Sequence, residues 1–203
     1  MDRMRALKEM PDRSPRTLFR EGSEALVFIP GFFTNDLIAR LRSELVWRQN
    51  KIRVYGRWYD EPRLTTWYGP EYTYSGIRWP SSPLVAVLEE IAGLLAAETG
   101  FPFNSVLGNW YRDGRDSMGW HRDNEPEMDQ SLIASVSFGS SRRFLIRERG
   151  GERSFEMGLG HGSVLLMQNM QERWEHAVPK TSKPMGERIN LTFRRIRVKE
   201  ELS

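Results

Sequence analysis

The sequence contains no cysteine and only three histidines among its 203 residues. Without cysteine the chain forms no disulfide and offers no thiolate, so any metal ion must be held by nitrogen and oxygen ligands. No apolar run approaches the roughly 20 residues of a membrane-spanning helix, and the N-terminus lacks the apolar core of a signal peptide. We therefore expect an intracellular protein without a membrane segment, cytoplasmic or nucleoid-associated in a bacterium and nuclear in a eukaryote.

Internal repeats and low-complexity tracts are also missing, and the length suits one domain. Residues 1–22 hold several arginines, two prolines and few apolar residues, which predicts a mobile basic arm. Residues 23–203 are expected to form a single domain that acts as a monomer. Between Arg40 and Arg63 there are seven basic residues against three acidic ones. This cluster can dock a polyanion, but taken alone it favours a solvated surface that keeps the protein in solution.

Hydrophobic spacing predicts two helices in the first half of the chain. Thr34 or Asn35 can cap the first helix. Its apolar positions are Leu37, Ile38, Leu41, Leu45 and Val46. The second helix is expected from Pro83 to near Gly100. Its buried side is expected to hold Leu84, Val87, Leu88, Ile91, Leu94 and Leu95.

The remaining apolar segments are short and lie between glycine or polar turns. Residues 25–29 read as a first strand, ended by Pro30 and Gly31. Further candidate strands are 105–112, 132–138, 143–149, 154–157, 163–167, 175–178 and 188–197. Many short strands separated by turns are typical of a sandwich or barrel. We therefore predict a mainly β fold of the α+β class, with the two helices packed on its outside.

Two of the three histidines belong to a pattern that suits a metal ion. In an extended strand His121 and Asp123 share one face, so both can reach one ion. With a distant His176 they form a set of two histidines and one carboxylate, which suits Fe(II) and leaves positions free for a cosubstrate and O2. A His-x-Asp triplet also arises by chance, but the scarcity of histidine favours the metal interpretation. The third histidine, His161, is expected to be a turn residue.

The last predicted strand alternates between polar and apolar side chains. One face carries Arg188, Asn190, Thr192 and Arg194, and the other carries Ile189, Leu191 and Phe193. On a surface strand the polar row would face water. Inside a barrel, near a metal, the same row can bind a small dicarboxylate because the planar guanidinium matches a carboxylate.

Four motifs together resemble the AlkB family of Fe(II)- and 2-oxoglutarate-dependent dioxygenases. They are NWY at 109–111, HRD at 121–123, His176, and RINLTFR at 188–194, within a resemblance that runs from about Ala25 to Val198. The resemblance implies a double-stranded β-helix, or jelly-roll, core over about 105–198, preceded by a nucleotide-recognition region. It implies that His121, Asp123 and His176 bind iron. It also implies a 2-oxoglutarate site formed by Asn109, Tyr111, Arg188, Thr192 and Arg194, with Asn190 beside them.

The family's chemistry, as this resemblance implies it, is oxidative dealkylation in DNA repair. With Fe(II) as cofactor, 2-oxoglutarate and O2 are consumed, and succinate, CO2 and an aldehyde are released as an N-alkyl group leaves a base. The implied lesions are 1-methyladenine and 3-methylcytosine, with etheno adducts as a further candidate. Two alternatives stay open at this point. The same chemistry could act on RNA or another substrate, or the chain could be a non-catalytic nucleic-acid-binding module.

The segment 52–76 resembles the nucleotide-recognition region of AlkB members that repair duplex DNA. In that subfamily a hydrophobic finger, matched here by Val54, Tyr55 and Gly56, fills the gap left when the damaged base is flipped out. Arg57 and Arg63 flank the finger and are expected to contact phosphates. The alternative is an ordinary β-hairpin whose aromatic side chains pack on the core. On the resemblance, the expected partner is alkylated DNA in duplex form.

Four further residues are implied contacts of the flipped base. Tyr72 and Tyr74 match pocket positions, and a cationic alkylated base is attracted to an electron-rich ring. Asn124 and Glu125 are placed to read the exocyclic amine. Tyr55 and Tyr74 stand where the subfamily carries phenylalanine, and Asn124 where it carries an acid, so base preference and strand preference stay open.

Overall fold

The computed structural model describes residues 13–54, 56–74 and 77–197. Within these residues the chain forms fifteen strands and two helices. The elements of the first half are β1 (Arg16–Glu21), β2 (Glu24–Ile29), α1 (Ile38–Glu44), β3 (Lys51–Val54), β4 (Arg57–Asp60), β5 (Leu64–Tyr68), β6 (Tyr72–Tyr74), β7 (Ile77–Trp79) and α2 (Ala86–Thr99). Those of the second half are β8 (Ser105–Tyr111), β9 (Met118–His121), β10 (Met128–Gly139), β11 (Arg142–Glu148), β12 (Ser154–Leu159), β13 (Ser163–Gln168), β14 (Trp174–Val178) and β15 (Arg188–Ile196).

Most strands belong to two antiparallel sheets that pack face to face. The large sheet has seven strands in the order β1-β2-β13-β10-β15-β8-β5, and the small sheet has four in the order β12-β11-β14-β9. Leu165 of the large sheet and Phe144 of the small one share a single apolar cluster, so the space between the sheets is a core. This arrangement is a jelly roll, as predicted. The hairpins β3–β4 and β6–β7 stand apart as two-stranded sheets.

Alternation along the strands of the large sheet separates two apolar layers. Val106 of β8, Val136 of β10 and Leu191 of β15 face outward and pack in one cluster with Leu41 of α1 and Leu88 of α2. The residues between them in sequence face the small sheet. The predicted position of the helices, outside the barrel, is therefore confirmed, and the polar residues of β15 are directed into the space between the sheets.

Both helices are shorter than the sequence pattern predicts. Helix α1 begins at Ile38 after Leu37, and among the described residues no side chain caps it in the manner expected of Thr34 or Asn35. The carboxylate of Asp36 instead accepts a hydrogen bond from the Ile38 amide at 3.0 Å. Leu45 is an extended residue that ends the helix. The chain turns there because residue 48 pairs with residue 65 beside the large sheet.

Helix α2 begins at Ala86, three residues after Pro83, and ends at Gly100 as predicted. Gly100 adopts a left-handed conformation with φ of 70°, which glycine accommodates without steric cost. Leu94, expected on the buried side, is exposed. In the described part of the chain, neither helix is long and apolar enough to cross a membrane.

The prediction of a mobile arm over residues 1–22 is wrong for residues 16–21. Arg16–Glu21 forms strand β1, which pairs antiparallel with β2 at the edge of the large sheet. The ring of Phe19 packs against Trp174 with centroids 5.0 Å apart, and Glu21 forms an ion pair with Arg153 at 3.0 Å. These contacts hold a segment whose own sequence has no clear periodicity. Residues 1–12 lie outside the described part of the chain.

We predict that Gly162→Ala destabilises the fold more than a matched glycine substitution. Gly162 has a φ of +70°, and a Cβ there would overlap the carbonyl oxygen of Phe33, whose amide donates to the Gly162 carbonyl at 2.9 Å. Gly150 has a φ of +68°, but no described atom lies within 4 Å of the position that a Cβ would occupy there. We expect Gly162→Ala to lower the free energy of unfolding by more than about 3 kcal/mol, and Gly150→Ala by about 1–2 kcal/mol.

Urea unfolding of both variants measures this difference. Equal losses for the two substitutions would show that backbone strain alone, without the overlap at Phe33, decides the stability of the Gly162 turn.

Candidate active site

The two histidines of the predicted metal set meet across a pair of strands in the small sheet. Strands β9 and β14 are antiparallel, with His176 directly opposite His121, and their ring centroids are 4.2 Å apart. Asp123 comes two residues after the end of β9, so it reaches the histidines from the irregular segment that follows the strand. The potential ligand atoms of these three residues all lie within 4.8 Å of one another. The structure therefore brings together the set that the sequence predicts.

Hydrogen bonds orient two of the three potential ligands, His121 and Asp123. The Nδ1 atom of His121 lies 2.9 Å from the Gly119 carbonyl oxygen, so a proton on Nδ1 leaves the Nε2 lone pair for a metal. Arg194 donates from Nη2 to Oδ1 of Asp123 at 2.6 Å. The other carboxylate oxygen, Oδ2, is buried, has no hydrogen-bond partner among the described residues, and lies 4.0 Å from Nε2 of His176.

The protonation states are those that metal binding requires. Burial, with a smaller contribution from the neighbouring His121, lowers the pKa of His176 to about 3. Burial also lowers the pKa of His121. For Asp123 burial opposes ionisation, but the Arg194 guanidinium and the two histidines outweigh it, and the pKa lies below its usual value. At neutral pH the set therefore consists of two neutral imidazoles and one carboxylate, which bind a cation without first losing protons.

These residues fit an Fe(II) ion. Two imidazole nitrogens and one carboxylate oxygen on one side of an ion are the donor set of non-haem iron oxygenases, and the open positions accept other ligands. The buried Oδ2 of Asp123 has no hydrogen-bond partner among the described residues, and a metal ion at this point would satisfy it.

The polar face of β15 forms one wall of the neighbouring cavity. Its four polar residues are buried, at 7% exposure or less. Strand β8 lies beside β15, with Asn109 opposite Asn190 and Tyr111 opposite Arg188. The cavity that contains His121, Asp123 and His176 is also lined by Asn109, Tyr111, Ser135, Asn190, Thr192 and Arg194. The predicted cosubstrate residues therefore share one space with the metal set, except that Arg188 lies behind Tyr111 rather than on the cavity wall.

The two arginines of β15 have different environments. Arg194 is paired with Asp123, whereas no carboxylate pairs with Arg188 in the described part of the chain. Arg188 is 1% exposed, donates from Nη2 to Ser137 Oγ at 2.9 Å, and has no hydrogen-bond partner for Nε or Nη1 among the described residues. Its guanidinium lies 5.2 Å from the ring of Tyr111. Burial lowers the pKa of Arg188 to about 10, so it is cationic at neutral pH.

A buried cation without an acidic partner is unfavourable until an anion reaches it. Arg188 therefore fits one carboxylate of a dicarboxylate whose other end lies at the metal. This arrangement agrees with the two roles that 2-oxoglutarate needs, a chelating end and an anchored end.

The predicted finger lies on the hairpin β3–β4. Val54 pairs with Arg57, and Gly56 between these two positions is a turn residue with a φ of 82°. Arg57 is exposed, as a phosphate contact requires. Tyr55 lies outside the described residues, and so does the side chain of Val54.

The expected base contacts are only partly described. Tyr72 and Tyr74 form the ends of strand β6, and their side chains lie outside the described part of the chain. Asn124 is exposed and Glu125 is half-buried, and both follow directly on Asp123. They therefore lie next to a member of the metal set, and their role in reading the base stays a prediction.

The predicted phosphate contact of Arg63 must be corrected. Arg63 is 5% exposed and points inward, where it forms an ion pair with Glu61 at 2.9 Å. Its Nε donates to Oδ1 of Asn109 at 2.7 Å. A guanidinium with these buried partners is not available to a phosphate, because leaving Glu61 unpaired would cost more than a surface contact returns.

Several residues of the site escaped the sequence-based prediction. Ser135 and Ser137 of β10 face the cavity side, where Ser135 accepts from Asn190 Nδ2 at 2.8 Å. Their alternation with Ala134 and Val136 is a signal that identifies them, since small polar residues at every second position of a buried strand face a polar space. The role of Gln171, whose Oε1 accepts from the Asp123 amide at 3.1 Å, has no local signal.

The fold and the cavity define a jelly-roll enzyme with an open metal site next to a dicarboxylate pocket. Residues 25–194 match the family model of the 2OG-Fe(II) oxygenase superfamily. The chain is 34% identical to alpha-ketoglutarate-dependent dioxygenase alkB homolog 3 of Rattus norvegicus, over 90% of this chain and 71% of that protein. It is 40% identical to DNA oxidative demethylase ALKBH2 of Homo sapiens, over 72% of this chain and 61% of that protein.

The solved structure of OsALKBH1 has the same fold, with a TM-score of 0.60 at 16% identity, over 89% of this chain and 100% of that one. This chain belongs to the AlkB family of Fe(II)- and 2-oxoglutarate-dependent oxygenases. It is a dioxygenase whose cofactor is Fe(II) and whose cosubstrates are 2-oxoglutarate and O2.

We predict that alanine at His121, Asp123 or His176 abolishes metal binding and activity, because each substitution removes one of three donors. Calorimetric titration with Mn(II), a redox-stable substitute for Fe(II), measures binding. His161→Ala is the matched control, since His161 is exposed, accepts a hydrogen bond from the Gly139 amide at 3.2 Å, and has its ring beside Phe138 rather than beside the metal set. Unchanged Mn(II) affinity in any of the three variants would remove that residue from the metal site.

Proposed function

We propose that this dioxygenase removes N-alkyl groups from bases of DNA. The observation that carries the proposal is an open metal set in one cavity and, behind the Tyr111 that lines this cavity, a buried guanidinium with no carboxylate to pair with in the described structure. Relatives that are 34–40% identical include proteins named for oxidative demethylation of DNA. We propose 1-methyladenine, 3-methylcytosine and etheno adducts as lesions, and a monomer as the active form.

In this proposal different residues in and beside the cavity hold the metal and the two ends of the cosubstrate. His121, Asp123 and His176 hold Fe(II). Arg188 and Tyr111 bind the far carboxylate of 2-oxoglutarate. The end nearer the metal is bound by Asn109, Asn190, Thr192 and Arg194.

The bound iron supplies oxidation of the N-alkyl carbon by O2, coupled to conversion of 2-oxoglutarate into succinate and CO2. The hydroxylated carbon then leaves as an aldehyde, and the unmodified base is restored. The chain's own contribution is to hold the reactants in place and to exclude water. Met118, Phe144 and Val178 belong to the apolar part of the cavity wall. Arg194 keeps the Asp123 carboxylate fixed throughout.

The substrate must come out of its helix to reach this cavity, because a stacked base keeps its pairing edge away from any enzyme group. The hairpin β3–β4 is suited to meet DNA. All four residues of β4 are exposed, including the aromatic rings of Trp58 and Tyr59 beside the cation of Arg57. Exposed aromatic and cationic side chains are the features that bind bases and phosphates.

We propose that Val54, Tyr55 and Gly56 at the tip of this hairpin fill the gap left in a duplex. Tyr72 and Tyr74 receive the flipped base, and its exocyclic amine is read by Asn124 and Glu125. A protein with this substrate works inside the cell, in the cytoplasm or nucleoid of a bacterium or the nucleus of a eukaryote.

We predict that Arg188→Met weakens 2-oxoglutarate binding to the Mn(II)-loaded protein by about a hundredfold, or about 2.7 kcal/mol. The apoprotein should be as stable as the wild type or more so, because the substitution removes a buried cation without an acidic partner. The matched ligand is 2-oxobutyrate, which lacks the far carboxylate and should bind both proteins equally. Wild-type affinity of the variant for 2-oxoglutarate would exclude Arg188 from the site.

Formaldehyde release tests the proposed reaction. We expect release from single- and double-stranded DNA oligonucleotides that carry 1-methyladenine or 3-methylcytosine, in equal amount to the succinate formed, and none without 2-oxoglutarate. Replacing both Val54 and Tyr55 by alanine should lower activity on the duplex about tenfold, by analogy with loss of one stacking contact, and affect the single strand less.

Matched RNA oligonucleotides form the comparison arm of this assay. Absence of release from every DNA oligonucleotide would refute the proposed reaction, and faster release from RNA would reassign the substrate. Equal activity of the hairpin variant on duplex and single strand would refute the duplex role of the finger alone.

A further inference from the structure

A buried ion pair connects the hairpin β3–β4 to the cosubstrate cavity. Glu61 and Arg63 lie between the end of β4 and the start of β5, and they are 3% and 5% exposed. Arg63 donates in three directions: from Nη2 to Glu61 Oε1 at 2.9 Å, from Nε to Asn109 Oδ1 at 2.7 Å, and from Nη1 to the Ser117 carbonyl at 3.3 Å. One guanidinium thus contacts the hairpin base, the cavity wall and the residue before β9.

The position of Glu61 is itself fixed. Its Oε2 accepts from Thr65 Oγ1 at 3.1 Å, and Thr65 Oγ1 accepts from Asn50 Nδ2 at 2.7 Å. Its backbone carbonyl accepts from Gln49 Nε2 at 3.1 Å, and its amide donates to the Asn50 carbonyl at 2.8 Å. Arg63 is therefore held by a carboxylate that has little freedom to move.

The consequence falls on the side-chain amide of Asn109. An amide can present either its oxygen or its NH2 group to a neighbour, and the hydrogen bonds it makes decide which. Because Arg63 occupies Oδ1, the NH2 group is the part of Asn109 left for the cavity that the residue lines. An N–H donor attracts the oxygens of an anionic cosubstrate, whereas a carbonyl oxygen in its place would repel them.

We propose that Arg63 is a positioning residue that fixes the amide of Asn109 for 2-oxoglutarate. The inference rests on the proposed cosubstrate role of Asn109. A role of Arg63 in stability alone is a weaker explanation of the buried Glu61–Arg63 pair. A buried ion pair adds little net stability once the cost of removing both charges from water is counted. Arg63 also keeps the base of the hairpin in a fixed position relative to the cosubstrate, since the same guanidinium contacts both.

The test is a double-mutant cycle on the Mn(II)-loaded protein, with 2-oxoglutarate affinity measured by calorimetry without O2. Asn109→Ala is expected to weaken binding. Arg63→Gln is expected to weaken it about tenfold, equivalent to about 1.4 kcal/mol. If Arg63 acts through Asn109, adding Arg63→Gln to Asn109→Ala has no further effect. In turnover assays the KM for 2-oxoglutarate should rise about tenfold while kcat at saturation stays within about twofold of the wild type.

Two further variants separate positioning from stability. Arg63→Lys keeps a cation beside Glu61 and preserves the fold, but a compact ammonium cannot hold Glu61 and the Asn109 amide together, so affinity for 2-oxoglutarate should still fall. If Arg63→Gln fails to fold, Arg63→Lys takes its place in the cycle. Arg115→Gln removes the same charge from a side chain that is 90% exposed, and should bind 2-oxoglutarate like the wild type.

Each outcome has a defined meaning. Additive losses in the cycle, or wild-type affinity in the Arg63 variant used, would overturn the positioning role and leave the cosubstrate site intact. Wild-type affinity in Asn109→Ala would instead refute the proposed cosubstrate role of Asn109, and the positioning role with it.

Discussion

The ion pair between Arg194 and Asp123 joins the two sheets at the point where the chemistry takes place. Both side chains are 1% exposed, and the N–O distance is 2.6 Å. Arg194 comes from β15 of the large sheet, and Asp123 follows β9 of the small one. Removing either partner would leave a charge buried and uncompensated. Because Arg194 occupies one carboxylate oxygen, the other oxygen is left facing the histidines, and the metal set depends on this contact for its geometry.

Strand β15 likewise contributes to both the fold and the site along its whole length. Its apolar residues pack under the two helices, and its polar residues line the space between the sheets. A shift of the pairing by one residue would exchange the two faces, placing arginines under the helices and leucine in the cavity. The same strand, β15, therefore contributes to both the outer core and the cosubstrate wall. Stability of the fold and precision of the site cannot be separated here.

Four buried arginines show that the surroundings of a side chain decide its role. Arg142 donates to the carbonyl oxygens of residues 113, 116 and 179 and so holds loops together. Arg194 orients a metal ligand, Arg63 orients an amide, and Arg188 meets no carboxylate in the described structure. All four are the same residue type in the sequence. Arg57 and Arg63 were expected to act alike on phosphates, and only Arg57 is exposed to do so.

The sequence by itself determined the features that depend on local order. Alternation along residues 188–194 separated a polar face from an apolar one, Gly100 ended α2, and the scarce histidines marked the metal set. Tertiary structure alone decided which segments meet. It paired His121 with His176, made a strand of Arg16–Glu21, and turned Arg63 inward. The reason is physical: periodicity fixes the direction of a side chain relative to its own backbone, whereas its partner is set by burial and hydrogen bonding among segments distant in sequence.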